Sequence, residues 1–342
     1  MKWTNENRLR LQVYRRDHET RSILSLYLRT LDGTALPPFA PGQYIAVYPP
    51  SGGSLPARPG IYSLSDAPGT GFYRISVKRV ENDGGPHCSI WLHDMALLNS
   101  TLEVSLPDGS FVLPAEESPV VLLSAGIGIT PVLSMAKHLA ASGFGGRVLV
   151  LHGVANSHAL AFARELNELR RQAVTTALWF SQPLPSDIKG QHFDFSGRIQ
   201  LEAMAAKLPA GANYFVCGPP AFLSAMRAQL AGLSIPPRNI HTESFQLDAA
   251  IQLAPLQKPS TVKFARSGLE TQWTGQHPNL LVLAEKSGLN PPYLCRLGQC
   301  GQCESLVLSG SVTYPEDPTA QSRFGGDFIC LARPVGDVVL DI

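Results

Sequence analysis

Three cysteines within nine residues, in the stretch CRLGQCGQC, constrain this 342-residue chain more than any other feature. Cys295, Cys300 and Cys303 are separated by four and then two residues, and Cys330 follows in FICLARP. The segment that holds them, 261–342, is small for a hydrophobic core of its own, so a metal centre would help to hold it together. Zinc, a disulfide and an iron–sulfur cluster are the three candidates.

The spacing favours iron over zinc. Zinc sites use paired ligands, whereas neither cysteine nor histidine lies near Cys330. Six cysteines, three of them bunched, do not form the even framework of a secreted domain, which disfavours disulfides and predicts a cytoplasmic protein. The pattern C-x4-C-x2-C with one distant cysteine is that of a plant-type [2Fe–2S] centre, and Gly298 and Gly301 allow the close backbone approach that such a loop requires. The predicted ligands are Cys295, Cys300, Cys303 and Cys330.

Composition excludes several functional classes. A hydrophobic share of 44% with 16% charged residues is typical of a folded protein, and the length suggests about two or three domains. The net charge of +1 gives no basis for binding nucleic acid or an anionic membrane surface. The N-terminus lacks the apolar segment of a signal peptide, and no run approaches the roughly 18 apolar residues of a membrane span.

The hydrophobic pattern divides the chain into domains. Short alternating runs with Gly, Pro and Asp between them predict an antiparallel β-barrel, with one helix at 89–98. Alternating apolar strands and helical segments then predict a parallel, doubly wound α/β domain, in which Thr130 is the expected N-cap and Pro131 the first residue of a helix. The predicted boundaries are 1–116 for the barrel, 117–247 for the α/β domain, 248–260 for a linker and 261–342 for the cysteine domain.

Two motifs lie in the α/β domain. In SAGIGITP, Gly126 and Gly128 would let a diphosphate approach the backbone at the positive end of the following helix. The motif departs from the ordinary dinucleotide fingerprint, because Pro131 replaces the third glycine and no acidic residue ends the next strand. In YFVCGPPAF, a strand ends in Cys217, which taken alone would be a small buried hydrophobe.

Together these motifs resemble the pyridine-nucleotide domain of the ferredoxin–NADP reductase superfamily. The resemblance places the Cys-Gly-Pro segment beside the nicotinamide and does not make its cysteine a nucleophile. The barrel resembles the flavin-binding barrel of the same superfamily through ARPGIYSLSDAP, ISVKRV and GPHCSIWLHD, and the tail resembles the plant-type ferredoxin domain, a β-grasp fold. The cofactor-binding residues implied are Arg58, Tyr62, Ser63, Leu64, Val77, Lys78, Cys88, Ser89, Gly126, Gly128, Thr130, Pro131, Cys217, Gly218, Pro219 and Phe245.

The resemblance also implies roles for these residues. Tyr62 and Ser63 contact the isoalloxazine and, with Cys217, form the catalytic set, while Phe245 lies against the flavin ring. The helix that starts at Cys88 and Ser89 holds the diphosphate. The chain departs from the family at Gly60, where an arginine is expected, so Arg58 is the candidate to replace it.

Cofactor identity follows from smaller features. SLPDGSFVLP and WLHD are similar to FAD-binding, flavohaemoglobin-like members, so FAD is predicted, although the phthalate dioxygenase reductase branch that shares this domain order uses FMN. No basic residue follows the strand that ends at Gly153, which favours NADH over NADPH; Arg198 is the remaining candidate contact for a 2′-phosphate.

The expected function is that of a monomeric reductase. It would pass electrons from NADH through FAD and the cluster to an acceptor protein, a Rieske-type or other monooxygenase component. The cluster loop, including Arg296, Leu297 and Gln299, is the expected contact surface for the acceptor. The alternatives are a redox carrier or sensor whose cluster is regulatory, and a zinc-stabilised binding module.

Overall fold

The structure, a computed structural model, describes residues 8–50, 59–80, 87–115, 118–172, 174–245, 259–315, 318 and 320–342. The predicted linker lies almost wholly outside these residues. The chain divides into two units, Trp3–Phe245 and Gln246–Ile342. The first unit contains both the predicted barrel and the predicted α/β domain, and the second contains the cysteine loop.

The N-terminal sheet is antiparallel, with strand order β4-β3-β6-β1-β2-β5. A bridge between Leu64 and Ile75 joins its two edge strands and closes it into a barrel. Inward-facing aliphatic side chains such as Leu24, Ile45 and Val104 form the core. The strands are β1 (Arg8–Thr20), β2 (Ile23–Thr30), β3 (Tyr44–Tyr48), β4 (Gly60–Ser63), β5 (Tyr73–Lys78) and β6 (Thr101–Ser105), and helix α1 (Cys88–Met95) lies between β5 and β6 in the chain.

The second sheet is entirely parallel, with strand order β10-β9-β8-β7-β11-β12. Its central strands are buried on both faces, which explains their continuous apolar sequence. The strand order reverses between β7 and β11, so the carboxyl ends of these strands open a crevice where such folds bind ligands. The elements are β7 (Val120–Ala125), α2 (Ile129–Ala141), β8 (Val148–Val154), α3 (Ala163–Arg171), β9 (Thr175–Phe180), β10 (Phe195–Ser196), β11 (Asn213–Cys217), α4 (Pro220–Gly232) and β12 (Ile240–Glu243).

The start of helix α2 differs from the sequence prediction. Helix α2 begins at Ile129, directly after a 3-10 turn at Gly126–Gly128, so Thr130 is inside the helix and is not its N-cap. Its hydroxyl instead donates to the carbonyl of Ile127 at 3.0 Å. Helix α3 begins only at Ala163, because Phe162 adopts a left-handed conformation with φ 60° that interrupts the helical pattern.

The C-terminal unit is built on a mixed four-stranded sheet, with order β14-β13-β20-β16, in which β13 and β20 are parallel. Helix α5 contributes Leu280, Leu281 and Leu283 to its core, and the Asn279 side chain caps the helix by accepting from the Val282 amide at 3.0 Å. This arrangement confirms the predicted fold class. The elements are β13 (Ser260–Phe264), β14 (Leu269–Trp273), α5 (Leu280–Lys286), β15 (Glu304–Ser305), β16 (Val307–Ser309), β17 (Val312–Thr313), β18 (Asp327–Phe328), β19 (Arg333–Pro334) and β20 (Val338–Leu340).

Across the described ranges, none of the helices combines the length and the apolar character that a membrane crossing requires.

Candidate functional site

The cysteine loop wraps its backbone around the sulfur atoms. The Sγ atom of Cys295 accepts hydrogen bonds from the amides of Leu297, Gln299 and Cys300 at 3.3 to 3.4 Å. The Sγ atom of Cys330, which comes from a distant part of the sequence, accepts from the amide of Gly298 at 3.3 Å. The Cys300 sulfur accepts from the amide of Cys295 at 3.4 Å, and Cys330 contacts the side chains of both Cys295 and Cys303, so all four predicted ligands lie at one place.

The four thiols also interact with one another. The pKa of Cys295 lies well below its usual range, because its sulfur accepts from the side chains of Cys300 and Cys330 and from the loop amides. A [2Fe–2S] cluster divides four thiolates between two irons, and the four cysteine sulfurs brought together here supply such a donor set.

The loop turns depend on left-handed backbone conformations. Gly298 and Gly301 have φ of 65° and 69°, as the sequence prediction required. Arg296 also has a positive φ, of 60°. Its guanidinium is ion-paired with Glu285 of α5 and stacks on the Tyr293 ring at 3.9 Å. Arg296 therefore holds the loop against α5, and its charge is paired within the C-terminal unit.

A buried carboxylate next to the loop was not foreseen from sequence. Glu304 follows Cys303 directly, is 5% exposed, and accepts from the backbone amides of Arg323, Phe324 and Gly326 as well as from a serine hydroxyl. These hydrogen bonds lower the pKa of Glu304 against the opposing effect of burial. Its carboxylate thus fixes the 322–326 loop against the cysteine loop.

In the first unit, the two nucleotide motifs pack directly on each other. A Cβ added at Gly128 would lie 2.3 Å from the carbonyl oxygen of Cys217 and 2.8 Å from the amide nitrogen of Gly218. Only glycine allows this approach of backbone to backbone. The structure therefore brings GxGxTP and Cys-Gly-Pro together at the carboxyl ends of β7 and β11, where the sequence placed the dinucleotide.

Four polar side chains form a row across this edge of the sheet. Glu243, Cys217, Ser124 and His152 are successive register partners on β12, β11, β7 and β8, so their side chains share one face of the sheet. The Nδ1 atom of His152 lies 2.9 Å from the Ser124 hydroxyl. Burial lowers the pKa of His152 to about 4, so its ring is neutral at pH 7.

Glu243 is the site residue that sequence analysis missed. Burial raises its pKa to about 8, although the neighbouring Ser63 hydroxyl opposes the increase. Burial together with the Glu243 charge raises the pKa of Cys217 well above its usual range, so this thiol remains protonated. The only sequence signal was a charged residue at the end of a buried parallel strand, in HTESF.

Apart from the interaction of these two side chains with each other, the Oγ atom of Ser63 and the Oε2 atom of Glu243 are buried without a hydrogen-bond partner at the junction of barrel and α/β domain. A buried polar atom without a partner costs about 1 to 3 kcal/mol. One hydroxyl and one neutral carboxylic acid are well suited to the polar edge of a flavin or nicotinamide ring, so the residues present fit a bound ring at this junction.

Tyr62 lies on the barrel side of the same site. Burial and the adjacent Cys88 thiol raise the pKa of Tyr62 well above its usual range, and burial raises that of Cys88 to about 11. A Cβ added at Gly60 would be 2.5 Å from the tyrosine hydroxyl. In this conformation the Tyr62 side chain therefore occupies the space in which an arginine at position 60 would begin. Arg58 lies outside the described residues.

The other predicted binding residues occupy varied surroundings. Leu64 and Val77 are buried in the barrel core, whereas Lys78 is exposed. Ser89, at the start of α1, is buried, and its hydroxyl accepts from the amide of Val80 at 3.4 Å. Pro131 is buried in α2. Phe245 packs against the core that contains Cys217, while Pro219 directly precedes α4.

Comparison with known proteins agrees with this geometry. The model of an oxidoreductase NAD-binding domain matches residues 122–228, and that of a 2Fe-2S iron-sulfur cluster binding domain matches residues 264–335. The flavohemoprotein of Deinococcus radiodurans is 38% identical over 237 residues, which cover 68% of this chain and 58% of that protein. The chain thus spans about three fifths of the length of the curated relatives it matches.

Two solved structures extend the comparison. Phthalate dioxygenase reductase, described as a modular structure for electron transfer from pyridine nucleotides to [2Fe–2S], matches over 100% of both chains with a TM-score of 0.68 and 26% identity. The FAD/NAD-binding domain of nitric oxide dioxygenase from Vibrio cholerae covers 69% of this chain and 98% of its own, with a TM-score of 0.60 and 29% identity.

The fold and the matched domains define the class of protein: the chain carries an oxidoreductase NAD-binding domain and a C-terminal [2Fe–2S] cluster-binding domain. Within that class it has the domain order of phthalate dioxygenase reductase. This confirms the resemblance inferred from the sequence motifs and the order of the three predicted domains.

Proposed function

We propose that this protein passes electrons from NADH through FAD and a [2Fe–2S] cluster to an acceptor protein, and that the acceptor is an oxygenase component. Bound FAD would accept two electrons as a hydride and release them one at a time, which matches a cluster that takes single electrons. The observation that carries the proposal is the meeting of Ser63 from the barrel with Glu243 and Cys217 from the α/β domain. FAD is favoured because the relative from Vibrio cholerae is described as an FAD/NAD-binding domain.

The site residues have distinct proposed roles. Ser63 and Glu243 would hydrogen-bond the two reacting rings at their polar edges, and Glu243 is a neutral acid at pH 7 because of its raised pKa. Cys217, buried and protonated, would pack against the nicotinamide, with Phe245 and Tyr62 bounding the flavin ring. Gly126 and Gly128 would admit the diphosphate of NADH. Together these residues would hold both rings in place and exclude water.

Surroundings of the loop after β8 support NADH over NADPH. The Oδ2 atom of Asp187 accepts from the amide of Ser157 at 3.3 Å and from that of Leu184 at 2.9 Å. A carboxylate held in this loop would repel a 2′-phosphate, and the four residues after Gly153, Val154 to Ser157, carry no basic side chain that would attract one.

The acceptor is proposed from the relatives. Phthalate dioxygenase reductase takes its name from the oxygenase that it serves, and it shares the full length of this chain. The cluster-binding domain is the natural exit for electrons. Because Arg296 is ion-paired within that domain, Leu297, Gln299 and the 322–326 loop are better candidates for acceptor contact than the arginine.

The test uses two artificial acceptors with the flavin-loaded protein. Cytochrome c would take single electrons from the cluster, whereas ferricyanide would also accept them from the flavin. Cys330→Ser should abolish the cluster and lower NADH-dependent cytochrome c reduction at least about tenfold, while ferricyanide reduction stays within about twofold of wild type. Equal cytochrome c reduction by both proteins would show that the cluster is not the exit. A colourless, zinc-containing preparation would instead support the binding-module alternative.

A further inference from the structure

A cluster of four charged side chains lies between the barrel and the α/β domain of the first unit. We call Asp66, Arg74, Lys137 and Glu165 the charge cluster. Arg74 lies on β5 of the barrel and is only 2% exposed. Its two terminal guanidinium nitrogens donate to the two carboxylate oxygens of Glu165 on α3, at 2.6 and 3.1 Å. A bidentate pair of this kind fixes orientation as well as distance.

The remaining two members complete the connection. The Nζ atom of Lys137 on α2 lies 2.8 Å from the Oε2 atom of Glu165 and is also ion-paired with Asp66 in the segment after β4. Arg74 lies 3.6 Å from Asp66. Two positive and two negative groups thus satisfy one another across the junction, and the Ser134 hydroxyl of α2 adds a bond of 2.7 Å to the carbonyl of Asp66.

Two members of the charge cluster, Asp66 and Lys137, belong to segments that also carry residues of the site already described. Asp66 follows Ser63 by three residues in the segment that leaves β4. Lys137 and Ser134 belong to α2, which begins at the turn that packs on Cys217. The Phe162 ring, held by its left-handed backbone just before α3, lies 5.0 Å from the guanidinium of Arg74. A shift of either domain would therefore move both the charge cluster and the sheet edge that carries Cys217 and Glu243.

From this geometry we infer that the charge cluster positions the nicotinamide-binding edge against the flavin barrel for hydride transfer, with Glu165 as the positioning residue. The inference rests on the proposed function. Hydride transfer requires reacting atoms about 3 to 3.5 Å apart, and a misplacement of about 1 Å can slow such a reaction by about a hundredfold. Glu165 acts through the orientation of the two domains and is not assigned contact with either cofactor.

A matched pair of variants on one helix tests the inference. Glu165→Gln removes the charge that joins Arg74 to Lys137. Glu168→Gln removes an exposed charge about one turn later on α3, where Glu168 is ion-paired with the exposed Arg164. Stopped-flow absorbance of the flavin-loaded proteins gives the rate constant of flavin reduction at saturating NADH and the long-wavelength charge-transfer band of the complex. Hydrogen exchange of the flavin-free proteins, read in segments 64–74 and 132–139, reports the junction itself.

We expect Glu165→Gln to lower the limiting rate constant at least about tenfold, to weaken the charge-transfer band and to speed hydrogen exchange in both segments. Glu168→Gln should stay within about twofold of wild type on all three measures. We expect Lys137→Met to change the rate constant, the charge-transfer band and the exchange in the same directions but by less. It serves as the test if Glu165→Gln does not retain flavin.

Two results would overturn the inference. One is an unchanged rate constant in both Glu165→Gln and Lys137→Met; the other is a slowed reaction with unchanged exchange and an unchanged charge-transfer band. If NADH does not reduce the flavin of the wild-type protein, the proposed function itself fails, and that outcome is distinct from the other two.

Discussion

Replacing Glu243 with glutamine should remove a pH dependence of stability from the first unit. The folded-state pKa of about 8 compares with an ordinary value of 4.5. Between these values the unfolded carboxyl has lost its proton while the folded one keeps it, so the wild-type protein loses stability as pH rises. Each pKa unit corresponds to about 1.4 kcal/mol. The loss between pH 4.5 and pH 8 is therefore on the order of 5 kcal/mol.

Urea denaturation of the flavin-free protein at a series of pH values from 5 to 9 measures this effect. The difference in unfolding free energy, Glu243→Gln minus wild type, should increase steadily with pH and level off above pH 8, because glutamine does not ionise. Glu168→Gln provides the matched carboxyl-to-amide control at an exposed position of the same domain. A flat difference for Glu243→Gln would refute the assignment of Glu243 as a buried neutral acid.

The remaining predictions concern other parts of the molecule. Gly128→Ala should weaken NADH binding and lower the free energy of unfolding by about 1 to 3 kcal/mol, seen as a lower melting temperature, because the added methyl group would collide with the Cys217 carbonyl. At Gly126 an added methyl group meets nothing within 4 Å, so Gly126→Ala should cost only the strain of its φ of 55°, about 1 to 2 kcal/mol. Glu304→Gln should shorten the half-life of the cluster absorbance on heating, because three backbone amides lose a charged acceptor worth about 1 to 3 kcal/mol. Asp187→Asn should narrow the preference for NADH over NADPH, measured as the ratio of the two kcat/KM values; an unchanged ratio would place specificity elsewhere.

Features that are local in sequence were predictable. The spacing of three cysteines within nine residues fixes which thiols one loop can present, and the continuous apolar run VVLL is required of a strand covered on both faces. Gly128 was predicted to admit a diphosphate, and the structure shows in addition that its missing Cβ lets the turn pack on the Cys217 backbone. These predicted features depend only on residues that are near one another in the chain, so they can be recognised from the sequence alone.

Features that depend on distant packing were not predictable. Arg74 occupies an ordinary polar position in an alternating strand, and its partner Glu165 lies 91 residues later. Glu243 in HTESF resembles any charged residue near a loop until the barrel buries it beside Ser63. The start of α2 was misplaced for a local reason, since the 3-10 turn at Gly126–Gly128 extends the helical path upstream of the expected cap.

The central claim is that electrons from NADH reach the cluster through the flavin. One anaerobic experiment tests it most directly: NADH is added to the flavin- and cluster-loaded protein, visible absorbance follows both chromophores, and electron paramagnetic resonance of the frozen sample follows the cluster. If electrons follow this path, the flavin and cluster bands bleach together and the signal of a reduced [2Fe–2S] centre appears. Bleaching of the flavin while the cluster stays oxidised would contradict it.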